Sequence, residues 1–125
     1  LSARHNTSGR TGKRAERLAA WWLRLKGYAI LAQGQRCGRG TGAGEIDIIA
    51  RRGGVIAFVE VKARASLDDA AQAISAAQRR RIARAAAAFM AANPRLGECS
   101  PRFDAILFAP GKLPCHISDA WRMDA

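Results

Sequence analysis

Acidic residues are the first thing this chain lacks. Ten Asp and Glu stand against 21 Lys and Arg in 125 residues, a formal charge of +11 and a pI near 11.2. That imbalance is foreign to enzymes of small metabolites and points to a polyanionic partner, nucleic acid ahead of an acidic membrane surface. Histidine is scarcer still, since His5 and His116 are too few and too far apart for a histidine-metal nuclease site. Cysteine is limited to Cys37, Cys99 and Cys115, an odd number with no CxxC pair. This argues against a disulfide framework and a structural zinc site, and for reduced thiols in a cytoplasmic protein. No stretch approaches the ~18 apolar residues of a membrane span, and residues 1–14 hold no apolar signal-peptide core. Aromatic residues make up 6% and enrich no strand, which speaks against a single-strand-binding sheet.

What is present suffices for one core, because 125 residues with 49% hydrophobic content exceed the needs of one domain and fall short of two. Residues 1–12 are polar, basic and without period, as expected of a flexible arm, and residues 13–125 form the expected domain. Over residues 13–26, Ala15, Leu18, Trp22 and Leu25 recur on one helical stripe until Gly27 ends it. "YAILAQGQR" reads as a strand, followed by the glycine-rich "CGRGTGAG" and then by two more strands in "GEIDIIARRGGVIAFVEVKA", residues 44–63. The glycine-rich segment enters a strand rather than a helix and lacks a Lys-Ser/Thr ending, so it is no ATP-binding loop. An alanine-rich helix is expected over residues 69–92, with Ser66, Asp68 or Asp69 as its cap and Asn93-Pro94 as its stop. "RFDAILFA" supplies a fourth strand, and "CHISDAWRM" has room for a short fifth. The fold class is therefore α/β, a central mixed sheet flanked by helices in the order α-β-β-β-α-β with a final short β.

The hairpin raises a chemical question. A tight turn at Gly53-Gly54, both at positive φ in a type I′ loop, pairs Arg52 with Val55, Ile49 with Phe58, Asp47 with Glu60 and Glu45 with Lys62. Alternation puts Asp47, Glu60, Glu45 and Lys62 on the face of Ile49, Ile56 and Phe58, and Ile46, Ile48, Val59 and Val61 on the other. Opposed residues have Cβ atoms ~5 Å apart, so two carboxylates there repel, and burial makes each costlier. A cation between them would offset this, either the Lys62 ammonium or, more directly, a divalent ion with the oxygen preference of Mg²⁺ or Mn²⁺; the alternative is a Glu60–Lys62 surface ion pair with Asp47 solvated at the sheet end. Two further polar residues sit near apolar stripes. Glu16 borders that of the first helix and either leans toward the sheet or pairs with a base on the helix surface. Gln78 lies between Ile74 and Ile82 and needs partners, over an active site or in a helix-to-sheet bond. Arg79, Arg80, Arg81 and Arg84 form the densest basic cluster, with Arg64 beyond the third strand and Arg36 and Arg39 in the loop before the hairpin. These are the candidate phosphate contacts.

Asp47 followed by Glu60-Val61-Lys62, after a helix containing Glu16, resembles the PD-(D/E)XK nuclease superfamily. The ordered segments "GKRAERLA", "KGYAILA", "GEIDIIARRGG", "FVEVKAR", "QRRRIARAA", "RFDAILF" and "HISDAW" resemble the YraN-type family of small bacterial proteins, which are similar to Holliday-junction resolvases. The resemblance implies a restriction-endonuclease-like fold and a Mg²⁺- or Mn²⁺-dependent endonuclease acting on DNA, branched DNA included. It makes Asp47 and Glu60 the metal ligands, Lys62 the catalytic lysine and Glu16 the completion of the acidic cluster. Ala15 stands where that family usually has Gly, Gln78 where Lys is frequent, and the "RCGRGTGAGE" loop is a few residues longer. A symmetric junction would suit a homodimer. The alternative from a different class is a nucleic-acid-binding protein that keeps the nuclease fold without turnover.

Overall fold

The computed structural model describes residues 2–36 and 45–122, and the side chains of residues 12–34 and 45–122. Helix α1 (Ser2–Leu25) begins well before the expected residue 13, so its backbone takes in most of the stretch read as an arm. It ends where Gly27, at φ +93°, turns the chain into β1 (Ala29–Arg36). Strands β2 (Glu45–Arg52) and β3 (Val55–Ala63) form the expected hairpin, with Arg52 opposite Val55 and Ile49 opposite Phe58. Only Gly53, at φ +59°, lies in the left-handed region. Positive φ at the first loop residue alone is the type II′ pattern, so the type I′ expectation is corrected while the register it implied stands from Arg52–Val55 to Ile48–Val59.

The ladder between β2 and β3 stops at Ile48 opposite Val59. The expected strand pairs Asp47–Glu60 and Glu45–Lys62 are therefore not formed, because the Val61 N–H donates instead to Asp47 Oδ2 at 2.9 Å. A side chain has replaced a strand partner, and the hairpin opens at that end. Alternation lapses over the same residues: Ile46, expected with Ile48 and Val59, packs with Ile49 and Phe58 instead.

The single expected helix over residues 69–92 is two helices, α2 (Leu67–Gln72) and α3 (Ala76–Ala92). Ser66 Oγ accepts the Asp69 N–H at 3.0 Å and Ser75 Oγ the Gln78 N–H at 3.1 Å, each a serine N-cap. A short 3₁₀ turn, Pro94–Leu96, follows, then β4 (Ser100–Phe108) and β5 (Cys115–Trp121), the fifth strand that the sequence left room for.

The five strands lie in the order β1-β2-β3-β4-β5, with β3 and β4 parallel and all other neighbours antiparallel. A parallel pair needs a long crossover, and residues 64–99 provide it with α2 and α3. On the α2/α3 face Ile46, Ile49, Ile56 and Phe58 pack with Ile74, Ile82, Ala85 and Ala86, and on the other Ile48, Ala50, Ala57, Val59 and Ile106 pack with Ala19, Ala20 and Leu23 of α1. Both faces of the central hairpin are thus covered, as its two-sided apolar pattern predicted. Among the described residues no helix is long and apolar enough to cross a membrane.

Candidate functional site

Where β2 and β3 part, a cleft of about 410 Å³ opens between α1 and the start of α3. Its walls bring together Glu16 of α1, Asp47 of β2, Glu60 and Lys62 of β3 and Gln78 of α3, the five residues singled out from the sequence, with Arg64 at the end of β3. Lys13, Gly34 and Glu45 also line it, residues that the sequence does not single out as site residues. Glu45 has a place in the expected hairpin register; Lys13 carries no signal beyond its place at the start of an amphipathic helix. Glu16, Glu45, Asp47 and Glu60 are four of only ten acidic residues in a chain of charge +11. Their gathering in one cleft is not what a uniformly basic surface would give.

Each side chain is held by the fold. Glu60 is 3% exposed. Its Oε2 accepts from Gln78 Nε2 at 2.7 Å and lies 3.1 Å from Lys62 Nζ, which leaves Oε1 for other partners. Gln78 reaches it because the Ser75 cap starts α3 just before this residue. In a capping box a Gln at that position bonds back to the cap, whereas here its amide turns to the sheet. Asp47, half-buried, accepts from the Val61 N–H and shares a hydrogen bond with Glu60. Gly34 takes φ +62°, and a Cβ there would lie 3.6 Å from Glu45 Oε2 and 3.8 Å from Glu16 Oε1, so β1 runs close against both carboxyls at this residue.

The electrostatics follow from burial without enough compensation. Burial, then the charge of Asp47, pushes Glu60 up to about 8 against the pull of Lys62. Burial also raises Asp47, although the Val61 N–H, Glu60 and Lys62 oppose it. Glu16 rises to about 7 through burial and the nearby charges of Asp47 and Glu45. Burial and mutual repulsion thus hold three carboxyls around one cleft against ionisation. Among the described residues no group of three or more His, Cys, Asp or Glu side chains is arranged to hold a metal ion unaided. Asp47 and Glu60, which share a hydrogen bond, are a pair of adjacent oxygen donors in the cleft.

The basic residues divide. Arg64 lines the cleft. Arg80, Arg81 and Arg84 are exposed along α3 without lining it. Arg79 lies with its guanidinium 5.7 Å from the ring centre of buried Trp121, a packing position. Arg39 and the side chain of Arg36 lie outside the described residues.

A second buried polar cluster escaped the sequence reading. Asp104 of β4 is fully buried, with Oδ2 2.7 Å from Arg102 Nη2 and 2.9 Å from His116 Nε2, while Oδ1 accepts from Arg102 Nε at 2.8 Å and the Asp119 N–H at 3.0 Å. Arg102 also donates to Tyr28 Oη at 2.6 Å, and Lys26 Nζ lies 2.5 Å from His116 Nδ1. Burial pushes Asp104 up, yet His116, Arg102 and the Asp119 N–H together outweigh it and hold the carboxyl at about 2. An Asp inside "RFDAILFA" was the available signal. The cluster ties the end of α1 to β4 and β5 and lines no part of the cleft.

The chain belongs to Uncharacterised protein family UPF0102, whose model matches residues 15–108. It is 59% identical over 123 residues to a UPF0102 protein of Paramagnetospirillum magneticum, covering 98% of this chain and 95% of that relative. A UPF0102 protein of Bradyrhizobium diazoefficiens is 54% identical over 112 residues, 90% of this chain and 81% of the relative. The matched segment includes Glu16, Asp47, Glu60, Lys62 and Gln78 and ends at the last residue of β4.

Proposed function

We propose that the cleft hydrolyses phosphodiester bonds of DNA, branched DNA included, as a divalent-metal-dependent endonuclease. The observation that carries this reading is the hydrogen-bonded pair of half-buried Asp47 and buried Glu60 with the Lys62 ammonium 3.1 Å from Glu60 Oε2, in an open cleft of a strongly basic molecule. Mg²⁺ is commonly held by one or two carboxylates with water and substrate phosphate filling the remaining positions, so a two-carboxylate donor set suits it and Mn²⁺. The raised protonation of both carboxyls is the strain such a cation would relieve. Bound there, the ion would lower the pKa of water and stabilise charge on the phosphate.

The chain's own residues supply the rest. Asp47 and Glu60 would hold the ion, and Gln78 fixes the Glu60 rotamer through Oε2. Lys62 projects to the same side as Glu60 and offers an ammonium to the attacking water or to the phosphoryl oxygens as negative charge builds on them. Arg64 and Lys13, at the mouth, are placed for flanking phosphates. Hydrolysis adds water oxygen to phosphorus and breaks one P–O ester bond, the leaving oxygen taking up a proton. The resemblance of the Asp47, Glu60-Val61-Lys62 pattern to PD-(D/E)XK nucleases supports the same assignment.

One observation favours a nucleic-acid-binding protein without turnover: the Lys62 ammonium lies 3.1 Å from Glu60 Oε2, where it can stand in for a cation. Thermal unfolding with and without Mn²⁺ separates the two readings. The parent is expected to gain stability with Mn²⁺. Asp47→Asn is expected to equal or exceed the parent without metal, since Asn still accepts the Val61 N–H and removes a buried charge, and to gain nothing from Mn²⁺. Equal Mn²⁺ shifts in parent and variant would remove Asp47 from the ligand set.

A further inference from the structure

Helix α1 is apolar on two sides. Ala15, Ala19, Ala20 and Leu23 are buried against the sheet, whereas Leu18, Trp21 and Leu25 on the outer side are 51%, 64% and 70% exposed. With Trp22 and with Phe108, Lys112 and Pro114 from β4 and the loop after it, these outer residues wall an apolar groove of about 410 Å³. A contiguous apolar surface of this kind on a soluble fold marks a contact site.

Two features define what fits it. The first is charge. Residues 17–44 and 105–118, which supply every wall residue, contain no Asp or Glu, while Arg17, Arg24, Lys26 and Lys112 lie among them. The second is continuity with the cleft. Ala15 and Glu16 line the cleft and Leu18 begins the groove on the same helix. Across from them, Ala63 and Arg64 line the cleft, Ala63 is the strand partner of the groove residue Phe108, and the Arg64 N–H donates to the Phe108 carbonyl at 3.1 Å. The occupant must therefore present apolar faces, carry negative charge and run on from a phosphodiester in the cleft. A single-stranded nucleic acid meets all three requirements, because every base has a π face that stacks on tryptophan while the backbone phosphates meet the basic rim. A second copy of the chain would set one basic rim against another. A flat bilayer would touch the ridge of α1 and miss the groove floor between α1 and the β4–β5 loop.

We propose that this groove takes an unpaired strand leading out of the cleft, stacked on Trp21 with Trp22 and Phe108 beneath and its phosphates on Arg17 and Lys112. The substrate of the cleft then carries a single-stranded branch beside the scissile bond. This proposal rests on the phosphodiesterase reading, but its test does not depend on cleavage. Fluorescence anisotropy in EDTA compares a blunt duplex with the same duplex bearing a tail of about ten thymidines, for the parent, Trp21→Ala and Trp21→Phe. The tail is expected to tighten parent binding about tenfold. Trp21→Ala, at an exposed position, should lose most of that gain with blunt-duplex affinity unchanged, and Trp21→Phe should keep most of it. Equal affinity for the two DNAs, or an equal loss on both in Trp21→Ala, overturns the proposal. So does Trp21-dependent binding to phosphatidylglycerol vesicles, or Trp21-dependent dimerisation in sedimentation, without any tail preference. Tail preference in a protein that cuts nothing upholds the groove and defeats the hydrolase reading, whereas cleavage without tail preference does the reverse.

Discussion

Glu60 and Asp104 are both buried carboxyls on adjacent strands, and they shift in opposite directions because their partners compensate burial unequally. Glu60 has one cation, one amide and a competing carboxyl, and rises to about 8, burial being the main cause. Asp104 has a guanidinium, an imidazole and a backbone N–H, which overcome burial and bring it to about 2. The consequences for pH are opposite in sign. A folded pKa above the unfolded value favours the protonated native state, so the Glu60 contribution is fully present below about 4.5 and is lost as pH rises through about 8. Metal-free protein is thus expected to lose stability, by ~1–3 kcal/mol, between pH 5 and pH 8.5. Glu60→Gln should flatten that slope in urea titrations across the range. A parent curve that rises over this window would contradict the account of Glu60. The Asp104 contribution is present above about 3.8 and fades toward about 2, outside that window. Replacing Asp104 by Ala leaves the Arg102 guanidinium without its main partner and is expected to cost roughly 3 kcal/mol or more. The Mn²⁺ response of the cleft should survive, and a variant that lost both would tie this network to the site. At this scale Asp47, Glu60 and Lys62 were legible because charge interrupts an apolar period. Asp104 was not weighed, since a single Asp in a strand names none of its partners.

Among the elements, the break between α2 and α3 shows where sequence patterning stops informing. Ile74, Gln78, Ile82, Ala85 and Phe89 keep one helical period across Ser75, so the segment reads as continuous. The break exists because Ser75 caps α3, a local hydrogen bond that periodicity does not encode. The two descriptions predict opposite signs for Ser75→Ala. In an uninterrupted helix alanine would stabilise by a few tenths of a kcal/mol. As an N-cap its loss should cost ~1 kcal/mol, read by urea denaturation. Because Gln78 begins its turn from that cap, the same change is also expected to loosen the hold on Glu60. The hairpin is the companion case. Gly53-Gly54 made its register legible at the turn, but nothing in the alternation announced that Asp47 would take the Val61 N–H and end the ladder. The cleft exists through that one substitution of side chain for strand.

Across the whole molecule, the sheet with helices on both faces followed from element order and from a hairpin apolar on both sides. The carboxyls that line the cleft were legible along it, whereas the opening itself came from the early end of the β2–β3 ladder. Charge is distributed to match: four of ten acids line the cleft, while Arg80, Arg81 and Arg84 are spread along exposed α3. If α3 meets DNA phosphates, Arg80→Ala with Arg84→Ala should weaken binding and lower the slope of log K against log[salt] by about 2. An unchanged slope removes α3 from the interface.

The claim at the centre of this account is that the cleft turns over, and Lys62 tests it most directly. Its ammonium is assigned to charge that develops only during reaction, so its removal should spare binding and abolish rate. The measurement is single-turnover cleavage of end-labelled linear, flapped and four-way DNAs in Mg²⁺ and Mn²⁺, beside affinity for the same DNAs in EDTA. The parent is expected to cut at least one branched substrate, and Lys62→Ala to bind within about twofold of it while cutting at least ~100-fold more slowly. A parent that binds these DNAs and cuts none, or a Lys62→Ala variant that cuts as fast as the parent, would contradict the catalytic assignment.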